Sequence, residues 1–128
     1  MFWHQFLVVA IGGAIGACCR YSITVILLYR ANELPWATII VNLLGSFIAG
    51  FLLIAFSERI VPSAEMRLFV FTGFLGAFTT FSAFSAENLL YWQHHQWLKL
   101  TANIGINNIG ALAGVLAGAY IASFLIKG

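Results

Sequence analysis

The third apolar stretch of the chain contains the run Thr72-Gly-Phe-Leu-Gly-Ala-Phe-Thr-Thr-Phe-Ser-Ala-Phe-Ser85. It lies in an uncharged segment between Arg67 and Glu87 that is long enough to cross a bilayer. Glycine is unfavourable within a helix, and hydroxyl side chains compete for the helix's own hydrogen bonds. The run, with Gly73 and Gly76 followed by the hydroxyls of Thr79, Thr80, Ser82 and Ser85, therefore predicts a membrane helix that is interrupted within it. A break inside the bilayer is tolerated only where the released carbonyls are buried in protein or line a watery cavity.

The composition of the whole chain indicates membrane helices. Of 128 residues, 62% are hydrophobic and 8% are charged, whereas a soluble domain carries about 25% charged residues. The uncharged stretches predict four spans in a single domain of residues 1–128, at about residues 3–29, 34–57, 67–93 and 98–126. Tryptophans fall near the predicted span ends, at Trp3, Trp36, Trp92 and Trp97. We therefore expect an all-α integral membrane protein, and the net charge of +2 does not indicate a nucleic acid partner.

The basic residues divide equally between the two sides of the predicted bundle. The side of the N-terminus holds Arg59, Arg67 and Lys127, and the opposite side holds Arg20, Arg30 and Lys99. This balance gives no preferred orientation under the positive-inside rule. We therefore expect dual insertion, with two inverted copies pairing as a homodimer.

Small residues recur four apart on the first and last spans, at Gly12 and Gly16 and at Gly110, Gly114 and Gly118. This spacing lets helix backbones approach closely. It fits packing within one subunit as well as a seam between two subunits.

Uncharged polar side chains lie inside the other spans as well. Thr38 and Asn42 are four residues apart and share one helix face, and the same spacing relates Asn103 to Asn107. Polar groups in a membrane helix need partners or face a pathway. Acidic residues are absent from the middle of the first, second and fourth spans. These features predict a pathway for a small anion or a neutral solute rather than for a cation.

Each of these residues also has a simpler structural explanation. Phenylalanines such as Phe81 and Phe84 usually face lipid or pack against other helices, although the edge of a phenyl ring is its positive part. Intramembrane serine and threonine usually bond to their own helix. The combination of a break, a hydroxyl run, paired phenylalanines and buried asparagines is what indicates a pathway.

At these segments the chain resembles the CrcB/Fluc family of fluoride channels. The matching runs are Gly12-Gly-Ala-Ile-Gly-Ala-Cys-Cys-Arg-Tyr21, Leu34-Pro-Trp-Ala-Thr-Ile-Ile-Val-Asn-Leu-Leu-Gly45 and Gly73-Phe-Leu-Gly-Ala-Phe-Thr-Thr-Phe-Ser-Ala-Phe-Ser-Ala-Glu87. The resemblance covers nearly the whole chain. It implies an antiparallel, dual-topology homodimer in the bacterial inner membrane, with two pores that are each built from both subunits. The implied role is passive, non-enzymatic export of fluoride from the cytoplasm.

The resemblance also implies roles for individual residues. Asn42 would donate a hydrogen bond to fluoride, and Phe81 and Phe84 would present their ring edges to the ion. The other residues implied for the pore are Thr38, Thr80, Ser82 and Asn107. Arg20 and Glu87 would lie at the aqueous vestibule, although Glu87 also fits an interfacial carboxylate at the membrane surface. The backbone carbonyls of Gly76 and Thr79 would hold a structural sodium ion on the dimer axis.

The chain departs from the family pattern in several places. Ala77 and Ala83 stand where a glycine and a threonine are common. Some relatives carry a tyrosine and serines where this chain has Asn103, Asn107 and Ala111, so whether Asn103 and Ala111 lie on the ion path stays open.

Two other functions compete with a channel. A small multidrug-type, proton-coupled antiporter needs a carboxylate in its first span, and the predicted first span contains none. A non-transporting assembly subunit would explain the helices and glycines but not the asparagines within them.

Overall fold

The computed structural model describes residues 2–27 and 34–127. Four helices are long and apolar enough to cross a membrane, and we number them as the first to fourth spans: Phe2–Leu27, Trp36–Glu58, Ala64–Gln93 and Trp97–Ile126. The last helix continues to Lys127. The prediction of four apolar helices is confirmed, while Arg30 and the rest of residues 28–33 lie outside the described residues.

The third span is divided into two halves. The first half consists of an α-helical turn, a π-helix and a second α-helical turn, at Ala64–Arg67, Leu68–Leu75 and Gly76–Phe78. The second half is the helix Phe81–Gln93. The predicted interruption is confirmed, and within the predicted run it lies at Thr79 and Thr80. Gly73 itself is helical, and its missing side chain permits close packing: a Cβ there would lie 3.1 Å from the Cα of Gly12.

Glycines of the first span bring it directly onto the first half of the third span. A Cβ added at Gly12 would lie 2.5 Å from the carbonyl oxygen of Phe69, and one added at Gly16 would collide with the backbone of Phe74. Close backbone contact of this kind is typical of small residues at four-residue spacing.

The second and fourth spans pack in the same manner. A Cβ at Gly50 would collide with the backbone of Val115, and one at Gly118 would collide with the backbone of Phe47. Both glycine rows that the sequence presents are therefore used for packing within one subunit.

The span ends carry the expected aromatic residues, and one hydrogen bond joins two span ends. Trp36 begins the second span and Trp97 begins the fourth. Trp97 meets Trp92 edge-on, with ring centroids 5.0 Å apart. On the opposite side, the guanidinium of Arg59 donates to the carbonyl of Ile126 at 2.9 Å. The second connection and the end of the fourth span therefore lie on the same side of the bundle, as alternating spans require.

Candidate functional site

The break in the third span is bound by Asn42 of the second span. Thr79 and Thr80 adopt extended conformations, with φ −81° and ψ 159° for the first and φ −150° and ψ 119° for the second. The Oδ1 atom of Asn42 accepts from the N–H of Thr80 at 2.8 Å, and its Nδ2 atom donates to the carbonyl of Thr80 at 3.1 Å. One carboxamide therefore satisfies both backbone groups of Thr80, which buried backbone groups require.

The break changes the partners of two backbone N–H groups. In a continuous helix the N–H of Thr80 would donate to the Gly76 carbonyl, and the N–H of Ala83 to the Thr79 carbonyl. Here the first donates to Asn42, and the second donates to Thr80 Oγ1 at 3.2 Å, which caps the helix that follows. The carbonyls of Gly76 and Thr79 therefore do not receive their usual helical donors.

A series of asparagine amides leads away from the break. The Nδ2 atom of Asn42 also donates to Asn107 Oδ1 at 2.9 Å. Asn107 donates to Asn103 Oδ1 at 2.7 Å, and Asn103 donates to Asn88 Oδ1 at 2.9 Å. Asn103 is fully buried and Asn107 is 6% exposed. The fourth span is thereby joined by side-chain hydrogen bonds to both the second and the third spans.

A cavity of about 460 Å³ adjoins the break and is lined by the residues predicted for the vestibule. Arg20, Thr38, Thr80 and Glu87 belong to its wall. Glu87 Oε1 accepts a hydrogen bond from the hydroxyl of Thr38. Glu87 Oε2 is buried and has no hydrogen-bond partner among the residues that the structure describes. Glu87 is therefore part of a cavity wall, where one of its carboxylate oxygens is bound by Thr38.

A second cavity, of about 440 Å³, is lined by the residues predicted to contact the ion. Asn42, Thr80, Phe81, Phe84 and Asn107 line it. The two phenyl rings have centroids 5.3 Å apart and are tilted by 48°. Phe84 is buried, whereas Phe81 is 75% exposed. Thr80 lines both cavities, so the break lies between the two spaces.

The predicted site residues divide into those that line a cavity and those that do not. The residues that line one are Arg20, Thr38, Asn42, Thr79, Thr80, Phe81, Phe84, Glu87 and Asn107. Gly76 and Ser82 line neither, although the hydroxyl of Ser82 lies 3.3 Å from that of Thr80. Of the two positions left open by the sequence, Ala111 lines the second cavity and Asn103 lines neither.

Ser46, Tyr91 and Asn88 are among the residues of this region that the sequence interpretation does not single out. Ser46 lines the second cavity one turn after Asn42, and the four-residue spacing could have found it. Tyr91 lines the first cavity one turn after Glu87 and has the same signal. Asn88 has no comparable spacing, because its partner Asn103 belongs to the next span.

Comparison with known proteins agrees with the sequence resemblance. The family described as "CrcB-like protein, Camphor Resistance (CrcB)" matches residues 7–119. A Legionella pneumophila (strain Lens) protein named "Fluoride-specific ion channel FluC" is 46% identical over 124 residues, covering 96% of this chain and 92% of the relative. Proteins of the same name from Methanococcus maripaludis and Koribacter versatilis are 42% identical over 121 residues and 38% identical over 122 residues. Each covers 94% of this chain, and the matched parts are 98% and 97% of those relatives. The chain therefore belongs to the CrcB family.

Proposed function

We propose that this chain is a fluoride-specific ion channel that lets fluoride leave the cytoplasm passively. The observation that carries the proposal is that Thr80, within the third of four membrane-spanning helices, lines a cavity on each of its sides. Hydroxyl, carboxamide and phenyl groups line these two cavities. The relatives named for fluoride channel activity, at 38% to 46% identity over nearly their full length, support the choice of ion.

Fluoride would cross between the cavities at Thr80 and Asn42. The ion is strongly hydrated, so a pore must replace its water with donors that still release it. Neutral hydroxyl and carboxamide groups are such donors. Both hydrogens of the Asn42 amide are donated within the protein, to the Thr80 carbonyl and to Asn107. A passing fluoride would accept a hydrogen bond from one of these N–H groups and so replace the acceptor that the group has now. The process involves no covalent step.

The first cavity would serve as the vestibule from which ions enter. The positive charge of Arg20 in its wall would raise the local concentration of anions. Thr38 belongs to the same wall and holds Glu87 Oε1 through its hydroxyl. This hydrogen bond would partly offset the negative charge of the Glu87 carboxylate and so reduce the repulsion between Glu87 and an approaching anion.

A second copy of the chain would complete the second cavity. Phe81 lies in the wall of this cavity and is 75% exposed, whereas the neighbouring Phe84 is buried. Left uncovered, this ring would meet lipid beside a polar path. We propose an antiparallel homodimer in the bacterial inner membrane, in which each pore uses residues of both subunits and lipid covers the remaining apolar faces. A reporter fused to the C-terminus should then be found on both sides of the membrane, and one location alone would refute dual insertion.

The carbonyls of Gly76 and Thr79 would hold a structural sodium ion at the centre of this dimer. Unwound backbone carbonyls are typical ligands of Na⁺ in membrane proteins. The N–H groups of Thr80 and Ala83 donate to side chains instead of to these two carbonyls, which supports the assignment. Two carbonyls from each of two copies would surround one ion. Bound Na⁺ would supply positive charge that stabilises the carbonyl oxygens at the break.

Fluoride efflux from proteoliposomes, followed with a fluoride-selective electrode, tests the proposed function. Wild-type protein should release fluoride down its gradient without a pH gradient. The double variant Asn42→Asp with Phe81→Ala should lose this flux, while Thr101→Val should retain it. Thr101 is an exposed residue whose hydroxyl bonds to its own helix. Absence of flux from the wild type, or full flux from the double variant, would refute a channel at this site, and dependence on a pH gradient would indicate an antiporter.

A further inference from the structure

The backbone N–H of Thr80 determines the orientation of the Asn42 amide. An N–H group can only donate, so the atom that meets it at 2.8 Å must be the oxygen of Asn42. The nitrogen of Asn42 consequently points to the Thr80 carbonyl and to Asn107. Since a nitrogen needs an acceptor, Asn107 must present its own oxygen to Asn42. The break thus sets the orientation of two carboxamides.

The same reasoning extends to the end of the series. With its oxygen toward Asn42, Asn107 directs its nitrogen at Asn103, where it donates to the side-chain oxygen at 2.7 Å and to the backbone carbonyl at 3.2 Å. Asn103 then donates to Asn88 Oδ1 at 2.9 Å. All the amides are therefore aligned head to tail. In this series the side chains of Asn103 and Asn107 each act both as a donor and as an acceptor, whereas the side chain of Asn88 acts only as an acceptor.

The far end of this amide chain lies away from the two cavities but returns to the helix that begins at the break. Neither Asn88 nor Asn103 lines either cavity, and Asn103 is fully buried. Asn88 belongs to Phe81–Gln93, the second half of the third span. The hydrogen bonds thus run from Thr80 across the second and fourth spans and back to the third span. An effect of Asn88 or Asn103 on conduction would therefore be indirect, through Asn107 and then Asn42.

We infer that Asn103 and Asn88 are positioning residues that hold the Asn42 amide in the orientation in which it meets fluoride. The inference rests on the proposed channel function. Fully satisfied polar networks rigidify their surroundings, and aligned hydrogen bonds polarise one another. Removal of the acceptor at Asn88 leaves the Asn103 nitrogen without its partner, and the loss is passed along the chain to Asn42. Conduction therefore depends on residues that do not touch the ion.

Isosteric substitutions at Asn88 test the inference. Asn88→Asp retains an acceptor for Asn103 and should keep fluoride flux within about twofold of wild type. Asn88→Leu and Asn103→Leu remove one or more hydrogen bonds and should slow flux about fivefold, the factor that corresponds to one net hydrogen bond. Thr101→Val, on the same helix as Asn103, is the control that should conduct like wild type. Equal flux in Asn88→Asp and Asn88→Leu, whether high or low, would overturn the inference.

A measurement of Asn42 itself separates positioning from channel function. In ¹⁵N-labelled protein, the side-chain amide resonances of Asn42 are expected to shift in Asn88→Leu and to stay near their wild-type positions in Asn88→Asp. Unchanged resonances in Asn88→Leu would overturn the positioning role. Wild-type protein that conducts no fluoride would refute the channel, and the resonances would still report whether the amide chain orients Asn42.

Discussion

Substitution of Thr80 by valine tests whether fluoride passes between the two cavities at Thr80. Valine keeps the shape of the side chain and the two backbone hydrogen bonds to Asn42. It removes the hydroxyl from the only described residue that lines both cavities. It also removes the cap that this hydroxyl gives to the N–H of Ala83. Both stability and conduction should therefore change, by different amounts.

The two effects of Thr80→Val can be estimated separately. Loss of an N-cap costs about 1 kcal/mol of stability. A hydrogen bond to a charged partner contributes about 1.5–3 kcal/mol, and about 1.4 kcal/mol corresponds to a tenfold change in rate. If fluoride crosses at this hydroxyl, Thr80→Val should conduct about ten- to a hundredfold more slowly than wild type. The loss of conduction is then much larger than the loss of folded protein.

Initial rates of fluoride efflux from proteoliposomes measure the change in conduction, and thermal unfolding of the detergent-solubilised protein measures stability. The matched control is Thr80→Ser, which keeps the hydroxyl and the cap and should conduct near the wild-type rate. Wild-type flux in Thr80→Val would refute the crossing at Thr80. Equal losses in the serine and valine variants would mean that the hydroxyl is not what the ion requires.

Two further predictions concern helix packing and ion entry. Gly50→Ala should destabilise the protein by about 1–3 kcal/mol, because the new methyl group meets the backbone of Val115. A backbone, unlike a side chain, cannot avoid the collision by changing its rotamer. Gly105→Ala, with nothing within 4 Å of the new methyl group, should instead stabilise it by up to about 1 kcal/mol. Thermal unfolding followed by circular dichroism compares the two, and changes of the same sign would contradict this packing. Arg20→Gln should slow efflux several-fold at low ionic strength and have little effect at about 1 M salt, where screening extends over about 3 Å. A loss of initial efflux rate that is independent of salt would contradict an electrostatic role.

The features that sequence predicts well are those determined by local composition. Four apolar runs give four helices because nothing but a bilayer or another helix can cover them. Helical spacing places Thr38 and Asn42 on one face, and both face the third span: Thr38 donates to Glu87, and Asn42 donates to Thr80. The side-chain partners of polar residues on one helix face could thus be anticipated as a group, although not one by one.

The exact place of the break could not be predicted from local sequence. The glycines and the hydroxyls that follow them predict an interruption within this run, and the resemblance places Gly76 and Thr79 at it, but neither selects Thr80. Gly73 is helical, and its missing side chain allows the close approach of the first span. The break includes Thr80, where Asn42 supplies a hydrogen-bond donor and an acceptor from 38 residues away. A side chain so distant in sequence leaves no mark on the composition around Thr80.

The carboxamide of Asn42 has a structural and a conducting role that depend on each other. It satisfies the backbone of Thr80, and the backbone of Thr80 in turn orients it. A substitution at Asn42 therefore removes a donor from the path and also removes the partner that keeps the break open, so a loss of flux there has two causes. Thr80→Ser compared with Thr80→Val leaves the backbone bonds intact, and Asn88→Asp compared with Asn88→Leu leaves the whole Asn42 side chain intact. The conducting role of Asn42 is consequently measured most clearly by changing its neighbours.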